Sequence, residues 1–123
     1  MAAETDLPAS LRDAADELRA QALGYPETTE DFPWGHSAFK VKGKSFLFLA
    51  SDEGWLKLSM KLPQSREFAL EYPFTEPTGY GLGRAGWVSA RFHDDDAVPL
   101  DVLGAWLEES YRAIAPKGIV ASL

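Results

Sequence analysis

Two tight hairpins in the middle of the chain constrain the fold more than any other feature of the sequence. Residues 39–42 alternate between apolar and basic side chains, residues 45–50 are mostly apolar, and residues 55–61 alternate again. The links between these segments, Gly43-Lys44 and Asp52-Glu53-Gly54, are turn sequences, and Gly43 in the first central position predicts a type II′ turn. Because links this short join only antiparallel neighbours, we expect an antiparallel sheet.

The segment at residues 55–61 has the clearest two-faced pattern. Its even-numbered residues are apolar, whereas its odd-numbered residues are basic, polar or aromatic. In a strand these two sets point to opposite faces, so we expect Leu58 to lie in the core. A further strand is predicted over residues 86–92. We also expect Phe32 and its neighbours to form an edge strand that Pro33 interrupts.

Apolar residues at spacings of three and four predict a helix near each end of the chain. The first helix should run from about Pro8 to Leu23 and the last from about Pro99 to Ala115, with a short helix from Gln64 to about Tyr72. Residues Asp94 to Asp96 precede the last helix and are predicted to cap it. The order of elements predicts an α+β domain with a single antiparallel sheet and with the first and last helices packed on one face.

Length and composition fit one domain over residues 1–123. Of the 123 residues, 46% are hydrophobic and none is cysteine, which excludes disulfide bonds, thiolate nucleophiles and cysteine-ligated metal sites. The apolar stretches are far shorter than the ~20 residues of a membrane span, and the N-terminal residues lack the pattern of a secretory signal. We therefore expect a monomeric cytoplasmic protein that does not enter a membrane.

The charge is distributed unevenly along the chain. The formal net charge is -7, which disfavours a generic nucleic-acid or membrane-surface binder because a negative field repels a polyanion. Residues 32–91, however, hold eight basic and five acidic side chains, so that a basic middle lies between two acidic ends. The acidic ends are interpreted as solvated helix faces.

Three short motifs suggest chemistry, but each has a simpler structural interpretation. Gly81–Gly86 matches the pattern G-x-G-x-x-G, yet it precedes a strand instead of opening a helix, so we expect a turn and no dinucleotide site. His93 and the aspartates after it lack the spacing of a calcium loop. His36 lacks a nucleophile elbow nearby, which favours a histidine hydrogen-bonded in a turn over a catalytic base. We predict no catalytic residue, no metal site and no cofactor.

The most suggestive constellation is a strand face that carries cations and tryptophans. Its candidate residues are Lys40, Lys42, Lys57, Lys61, Arg84, Arg91, Trp55 and Trp87. We expect Lys40 and Lys42 to lie on a strand next to that of Lys57 and Lys61. Such a face could hold nucleic acid, because cations contact phosphates and aromatic rings stack on bases. The simpler interpretation is a solvated sheet face, on which lysine is common.

The sequence resembles a known protein family over about Leu11 to Ala115. The chain resembles the MmcQ/YjbR family in a series of short motifs in a specific order. The residues that carry the resemblance include Phe32, Pro33, Trp34, His36, Phe39, Lys44, Ser110 and Tyr111. The resemblance implies a compact α+β fold like that of CyaY-like or secretion-chaperone-like domains. It also implies the description "DNA-binding", through a likeness to a double-wing motif, and it implies no catalytic residue and no cofactor.

Two functions follow from the residues and the resemblance together, and an enzyme whose site no motif reveals is a third, less favoured alternative. The first is a non-enzymatic binding module that holds DNA weakly and without sequence specificity on the basic sheet face, because no base-reading helix is evident. The alternative is a protein–protein interaction module, in the manner of secretion chaperones, with Trp and Phe side chains as anchors. Salt dependence would separate the two, since only phosphate contacts weaken steeply with salt.

Overall fold

The computed structural model describes residues 7–32, 36–79, 81–94 and 96–123. Within these residues the chain forms one six-stranded sheet in the order β1-β2-β3-β4-β6-β5, with every neighbouring pair antiparallel. The strands are β1 (Thr28–Asp31), β2 (Ser37–Val41), β3 (Lys44–Asp52), β4 (Trp55–Lys61), β5 (Thr75–Pro77) and β6 (Trp87–His93). The helices are α1 (Ala9–Gly24), α2 (Arg66–Ala69), α3 (Leu100–Ile114) and α4 (Lys117–Val120), and a 3₁₀ helix spans Leu82–Ala85.

The predicted α+β class and the placement of the two long helices are confirmed. Leu58 is only 2% exposed and lies between Leu49 of β3 and Ala90 of β6. Together with their neighbours on the same sheet face, these residues belong to one core cluster that also contains Leu18 of α1 and Leu107 of α3. Burial of this apolar face is what holds both helices against the sheet, since each buried methylene contributes roughly 0.8 kcal/mol.

The first hairpin has a different turn from the one predicted. Val41 pairs with Lys44, so that Lys42 and Gly43 are the two linking residues, and both have positive φ, 51° and 79°. This is the type I′ pattern, whose twist matches that of the flanking strands. The predicted type II′ turn is therefore wrong, and Lys42 lies in the turn and not on the strand. The link at residues 53–54 has the same pattern, with φ of 50° and 84°.

The first edge strand lies earlier in the chain than expected. β1 ends at Asp31, and Phe32 follows it with 66% of its surface exposed, whereas Pro33 lies outside the described residues. The sequence does not indicate this strand because all four residues of β1 are polar. Its inward-facing Glu30 accepts hydrogen bonds from Arg19 of α1 (3.2 Å) and from the hydroxyl of Ser37 (2.7 Å). A part-buried polar network replaces the apolar alternation that normally marks a strand.

Two further expectations need correction. The predicted helix from Gln64 to Tyr72 is reduced to the single turn of α2, Arg66–Ala69. The Ala69 carbonyl at its end accepts the Thr75 hydroxyl (2.6 Å). No described side chain caps α3. The Asp96 carboxylate instead accepts the amide of His93 (2.9 Å) and stabilises the turn after β6.

No helix in the described part of the chain is long and apolar enough to cross a bilayer.

Candidate binding face of the sheet

The sheet face opposite α1 and α3, here called the open face, carries most of the predicted site residues. Strand alternation and register place the following side chains on it, in strand order: Lys40, Phe48, Ala50, Asp52, Trp55, Lys57, Ser59, Lys61, Trp87, Ser89, Arg91, His93 and Glu76. The prediction that Trp55, Lys57, Lys61, Trp87 and Arg91 share one face is confirmed by this register.

The two most exposed cations of the open face each lie beside a carboxylate. Lys57 Nζ is 3.3 Å from Asp52 Oδ2, and Arg91 Nη1 is 3.9 Å from Glu76 Oε1. All four side chains are about half exposed, so that each pair contributes only ~0–1 kcal/mol to stability. The pairs matter more for the local field, because they make the centre of the open face close to neutral and not strongly basic.

The predicted cluster of four lysines does not form. Lys40 lies on β2 and Lys57 on β4, with β3 between them. Lys40 pairs with Asp31 at 3.1 Å, and its hydrogen bond holds the pKa of that carboxyl below its ordinary value. Lys42 lies in the hairpin turn and pairs with Glu27 at 2.7 Å, a hydrogen bond that raises the pKa of the ammonium group. The alternation of side chains along each strand could not reveal the order of the strands or the carboxylate partners of these lysines.

The two tryptophans differ in exposure. Trp87 is only 6% exposed and its ring centroid lies 5.4 Å from that of Phe48, so the expectation that Trp87 could stack on a ligand is wrong. Trp55 is partly exposed at the other end of the face. The ring of His93 lies 4.1 Å from the Trp55 ring, and the Arg91 guanidinium carbon lies 5.6 Å from it. This group of three is held together by ring packing and a cation–π contact.

The remaining predicted cations lie at the margins of the open face. Lys61 is half-buried opposite Trp87, at the end of β4. Arg84 is exposed in the 3₁₀ helix that precedes β6 and is not on the sheet. Lys44, the cation of the family motif, is exposed at the first position of β3. These three side chains therefore do not join Lys57 and Arg91 in one patch.

Three hydroxyl groups form a line beside Lys57 and Arg91. The Ser59 and Ser89 hydroxyls, opposite one another on β4 and β6, are 2.7 Å apart, and the Thr78 hydroxyl is 2.9 Å from that of Ser89. An open cleft of about 180 Å³ lies over Ser59 and Ser89, and its walls include Lys57, Arg91 and Glu76. A second cleft, of about 370 Å³, shares Arg91 with the first. It is lined by Trp55, Pro73, Phe74, Arg91, Phe92, His93, Asp96 and Ala97.

The glycine pattern at residues 81–86 has a steric explanation. Gly81 and Gly86 have φ of 80° and 93°, values that side chains with a Cβ rarely adopt. At Gly83 a Cβ would lie 3.0 Å from Pro77 Cβ and 3.1 Å from the Thr78 carbonyl oxygen. The segment leads into β6, as predicted, through one turn of 3₁₀ helix. These glycines shape a turn, which accounts for the match to the dinucleotide pattern.

Both histidines contact aromatic rings of the open face. The His36 ring packs on that of Phe48 with centroids 5.9 Å apart, so it joins the aromatic residues at the Trp87 end. His93 Nδ1 lies 3.0 Å from Asp94 Oδ2. Across the described ranges no group of three or more metal-ligating side chains is found. The ligand-rich sequence after His93 therefore serves a turn, although not the helix cap that was predicted.

Several residues of the family motif are structural. Phe39, Ser110 and Tyr111 are fully buried. The Tyr111 ring stacks on Tyr25 with centroids 4.5 Å apart, and its hydroxyl donates to the Pro26 carbonyl at 2.7 Å. Burial raises the pKa of both phenols. Phe32 is exposed, His36 is half-exposed, and Pro33 and Trp34 lie outside the described residues.

The architecture defines an α+β domain with one antiparallel sheet, helices on one face and a polar and aromatic open face on the other. A model of the YjbR family matches residues 23–113, and the chain belongs to this family. Comparison with functionally curated proteins finds no match.

Two solved structures share the fold. Deinococcus radiodurans protein DR2400, described with the family-model domain DUF419, is 30% identical with a TM-score of 0.66, and the alignment covers 84% of this chain and 79% of that one. A protein from Pseudomonas syringae has a TM-score of 0.63 and 15% identity, with coverage of 80% and 97%. The resemblance noted from the sequence is thereby confirmed at the level of family and fold.

Several residues of the open face were not predicted from the sequence, among them Phe48, Asp52, Glu76, and His93 as a partner of Trp55. Phe48 falls in a mostly apolar segment whose two faces are alike, so alternation gave no signal. Glu76 reaches the face because β5 joins the sheet beside β6, a pairing that no local pattern predicts. His93 shares the parity of Arg91, and extending the strand by one residue would have found it.

Proposed function

We propose that the protein is a non-enzymatic binding module that holds a segment of another protein on the open face. The observation that carries this proposal is the group formed by Trp55, Arg91 and His93 at the mouth of the cleft of about 370 Å³. Trp and Arg are the residue types that most often dominate the energy of protein interfaces. The cleft is lined by Phe74 and Phe92 on its apolar side, which suits a large apolar or aromatic side chain of the partner.

The charge of the open face supports a protein ligand over a polyanion. Lys57 and Arg91 each have a carboxylate neighbour, and the whole chain carries a formal net charge of -7. A phosphate backbone laid along this face would meet Asp52 and Glu76 as well as the cations. That repulsion adds up over the many phosphates of a polyanion, unlike the case of a single small anion. A protein segment with mixed charges meets no such repulsion, and its apolar anchor releases water from the cleft.

DNA binding is kept as a second candidate because Lys57 and Arg91 face one another directly across β4 and β6. Two adjacent cations with Trp55 nearby could contact a backbone phosphate and an unstacked base. Such binding would be weak, independent of sequence and steeply dependent on salt.

The first experiment is selection of peptides from a random display library on the immobilised full chain, followed by affinity measurement of purified peptides. We expect affinity that changes little between low and moderate salt and that is lost in Trp55→Ala. The matched control is Lys40→Ala, an open-face residue outside the cleft, which should bind normally. Peptides that bind Trp55→Ala as tightly as the unaltered chain would overturn the proposal.

The second experiment is fluorescence anisotropy of labelled duplex and single-stranded DNA. We expect no binding at ~10⁻⁴ M protein in low salt, which is below ordinary non-specific affinity. Binding that falls steeply with salt and is weakened by Lys57→Glu with Lys61→Glu would overturn the protein-ligand proposal in favour of the second candidate.

A further inference from the structure

Two like charges face one another at the centre of the sheet. Lys57 on β4 is the direct cross-strand partner of Arg91 on β6, an arrangement that destabilises a sheet by itself. The fold does not require it, because the opposite face of these strands supplies the buried contacts through Leu58 and Ala90. Asp52 and Glu76 approach the two cations at 3.3 and 3.9 Å, and the second distance is too long for a hydrogen bond.

Hydrogen-bond donors remain available on both cations. An ammonium group has three N–H donors and a guanidinium group has five. The Asp52 contact occupies one donor of Lys57, and the Glu76 contact at 3.9 Å leaves the Arg91 donors loosely paired. Exposed ion pairs of this kind are worth only ~0–1 kcal/mol, so a ligand can displace Glu76 at little cost.

The neighbouring hydroxyl line supplies a further donor. Thr78, Ser89 and Ser59 have three hydroxyl protons but form only two contacts with one another, at 2.9 and 2.7 Å. In the arrangement in which Thr78 donates to Ser89 and Ser89 donates to Ser59, the Ser59 proton is used in neither contact and can be donated to a ligand. Ser59 also lines the cleft of about 180 Å³ between the two cations. This volume holds several waters at ~30 Å³ each, which is enough for a small oxyanion.

We propose that this cleft is an oxyanion-binding site, here called the oxyanion cleft. A phosphate, sulfate or carboxylate group lies between Lys57 Nζ and the Arg91 guanidinium and accepts the Ser59 hydroxyl proton. Bound there, the anion neutralises the cross-strand pair, and Glu76 acts as a weak competitor for the same cations. The site goes beyond the proposed protein-segment function, because a free ion can fill it without any partner.

The test is a titration of the full chain with inorganic phosphate, sulfate and acetate at constant ionic strength set by sodium chloride. Amide resonances of β4 and β6 in a ¹H–¹⁵N spectrum report the binding. We expect saturable shifts with a Kd of ~1–10 mM for at least one of the three ions. The phosphate and sulfate arms identify a tetrahedral anion, and the acetate arm identifies a carboxylate.

Four variants test the proposal, because two should weaken anion binding, one should tighten it and one should leave it unchanged. Lys57→Gln and Arg91→Gln should each weaken binding by about fivefold or more, and Glu76→Gln should tighten it about threefold to tenfold by removing the competing charge. Lys40→Gln, a cation on the same face outside the cleft, is the matched control and should bind like the unaltered chain. Each variant is checked by its unfolding midpoint in chloride, since all four side chains are at least partly exposed.

Three results would overturn the inference. They are the absence of saturable shifts with all three ions, equal weakening by Lys40→Gln and Lys57→Gln, or weaker binding in Glu76→Gln. None of these results bears on peptide binding to the cleft beside Trp55, because that proposal is tested with peptides and the Trp55→Ala variant. Failure of either proposal is therefore distinguishable from failure of the other.

Discussion

A single buried hydroxyl connects α3 to an interrupted part of the sheet, and its removal should destabilise the fold measurably. The β2–β3 register shifts between Phe39 and Lys40, and β3–β4 pairing ends at Leu47 with Met60. At this point Ser110 Oγ donates to the Phe46 carbonyl and accepts the Lys61 amide at 2.9 Å. The hydroxyl therefore bridges a C=O and an N–H just beyond the end of the β3–β4 ladder.

The magnitude follows from the two groups that Ser110→Ala would leave without a partner. The bond to the Phe46 carbonyl is fully buried, so the carbonyl carries the ~1–3 kcal/mol penalty of an unsatisfied buried group. The Lys61 amide is part-buried and reachable by water, which reduces its share to ~1 kcal/mol. We expect a loss of about 2–4 kcal/mol in the free energy of unfolding.

The assay is urea unfolding followed by tryptophan fluorescence and far-UV circular dichroism, whose transitions should coincide for a domain of this size. Ser122→Ala is the matched control, because its hydroxyl also donates to a backbone carbonyl, that of Ile119 at 2.6 Å, but is exposed. It should change stability by less than ~0.5 kcal/mol. A loss below ~0.5 kcal/mol for Ser110→Ala would refute the reasoning, because it would mean that the strands close the gap without the bridge.

Three further predictions test the core, a turn and the phenols. Leu58→Ala should lower the free energy of unfolding by ~2–5 kcal/mol in urea titrations, as a core truncation does, and a loss under ~1 kcal/mol would contradict its burial. Gly86→Ala should cost ~1–2 kcal/mol in the same assay because φ is 93°, whereas Gly118→Ala, whose Cβ meets nothing within 4 Å, should be neutral or stabilising. Burial raises the pKa of Tyr25 in the folded state. The stabilisation that the neutral phenol gives to the fold is therefore complete below the ordinary pKa of ~10 and is lost as pH rises above it. Stability measured by thermal unfolding should therefore fall less steeply above pH ~10 in Tyr25→Phe, and an unchanged slope would contradict the assignment.

The local elements, and which side chains of a strand share a face, could be predicted from the sequence. The alternation predicted at residues 55–61 and 86–92, the apolar stripes of the two long helices and the presence of short glycine-containing links after residues 41 and 52 each depend on neighbours close in the chain. Side chains two apart in a strand must share a face. That is why Trp55 and Lys57 share one face, as predicted. Arg91 joins them only because β4 pairs with β6.

The surroundings of those side chains, by contrast, depend on how the strands and helices assemble. The order of strands separates Lys40 from Lys57, and the pairing of β5 with β6 brings Glu76 next to Arg91. Phe48 buries Trp87 across the intervening strand β4. These contacts join residues far apart in the chain, and their energies depend on packing and on opposite charges in space. No periodicity carries that information, so a face that is basic in sequence becomes nearly neutral when the sheet is assembled.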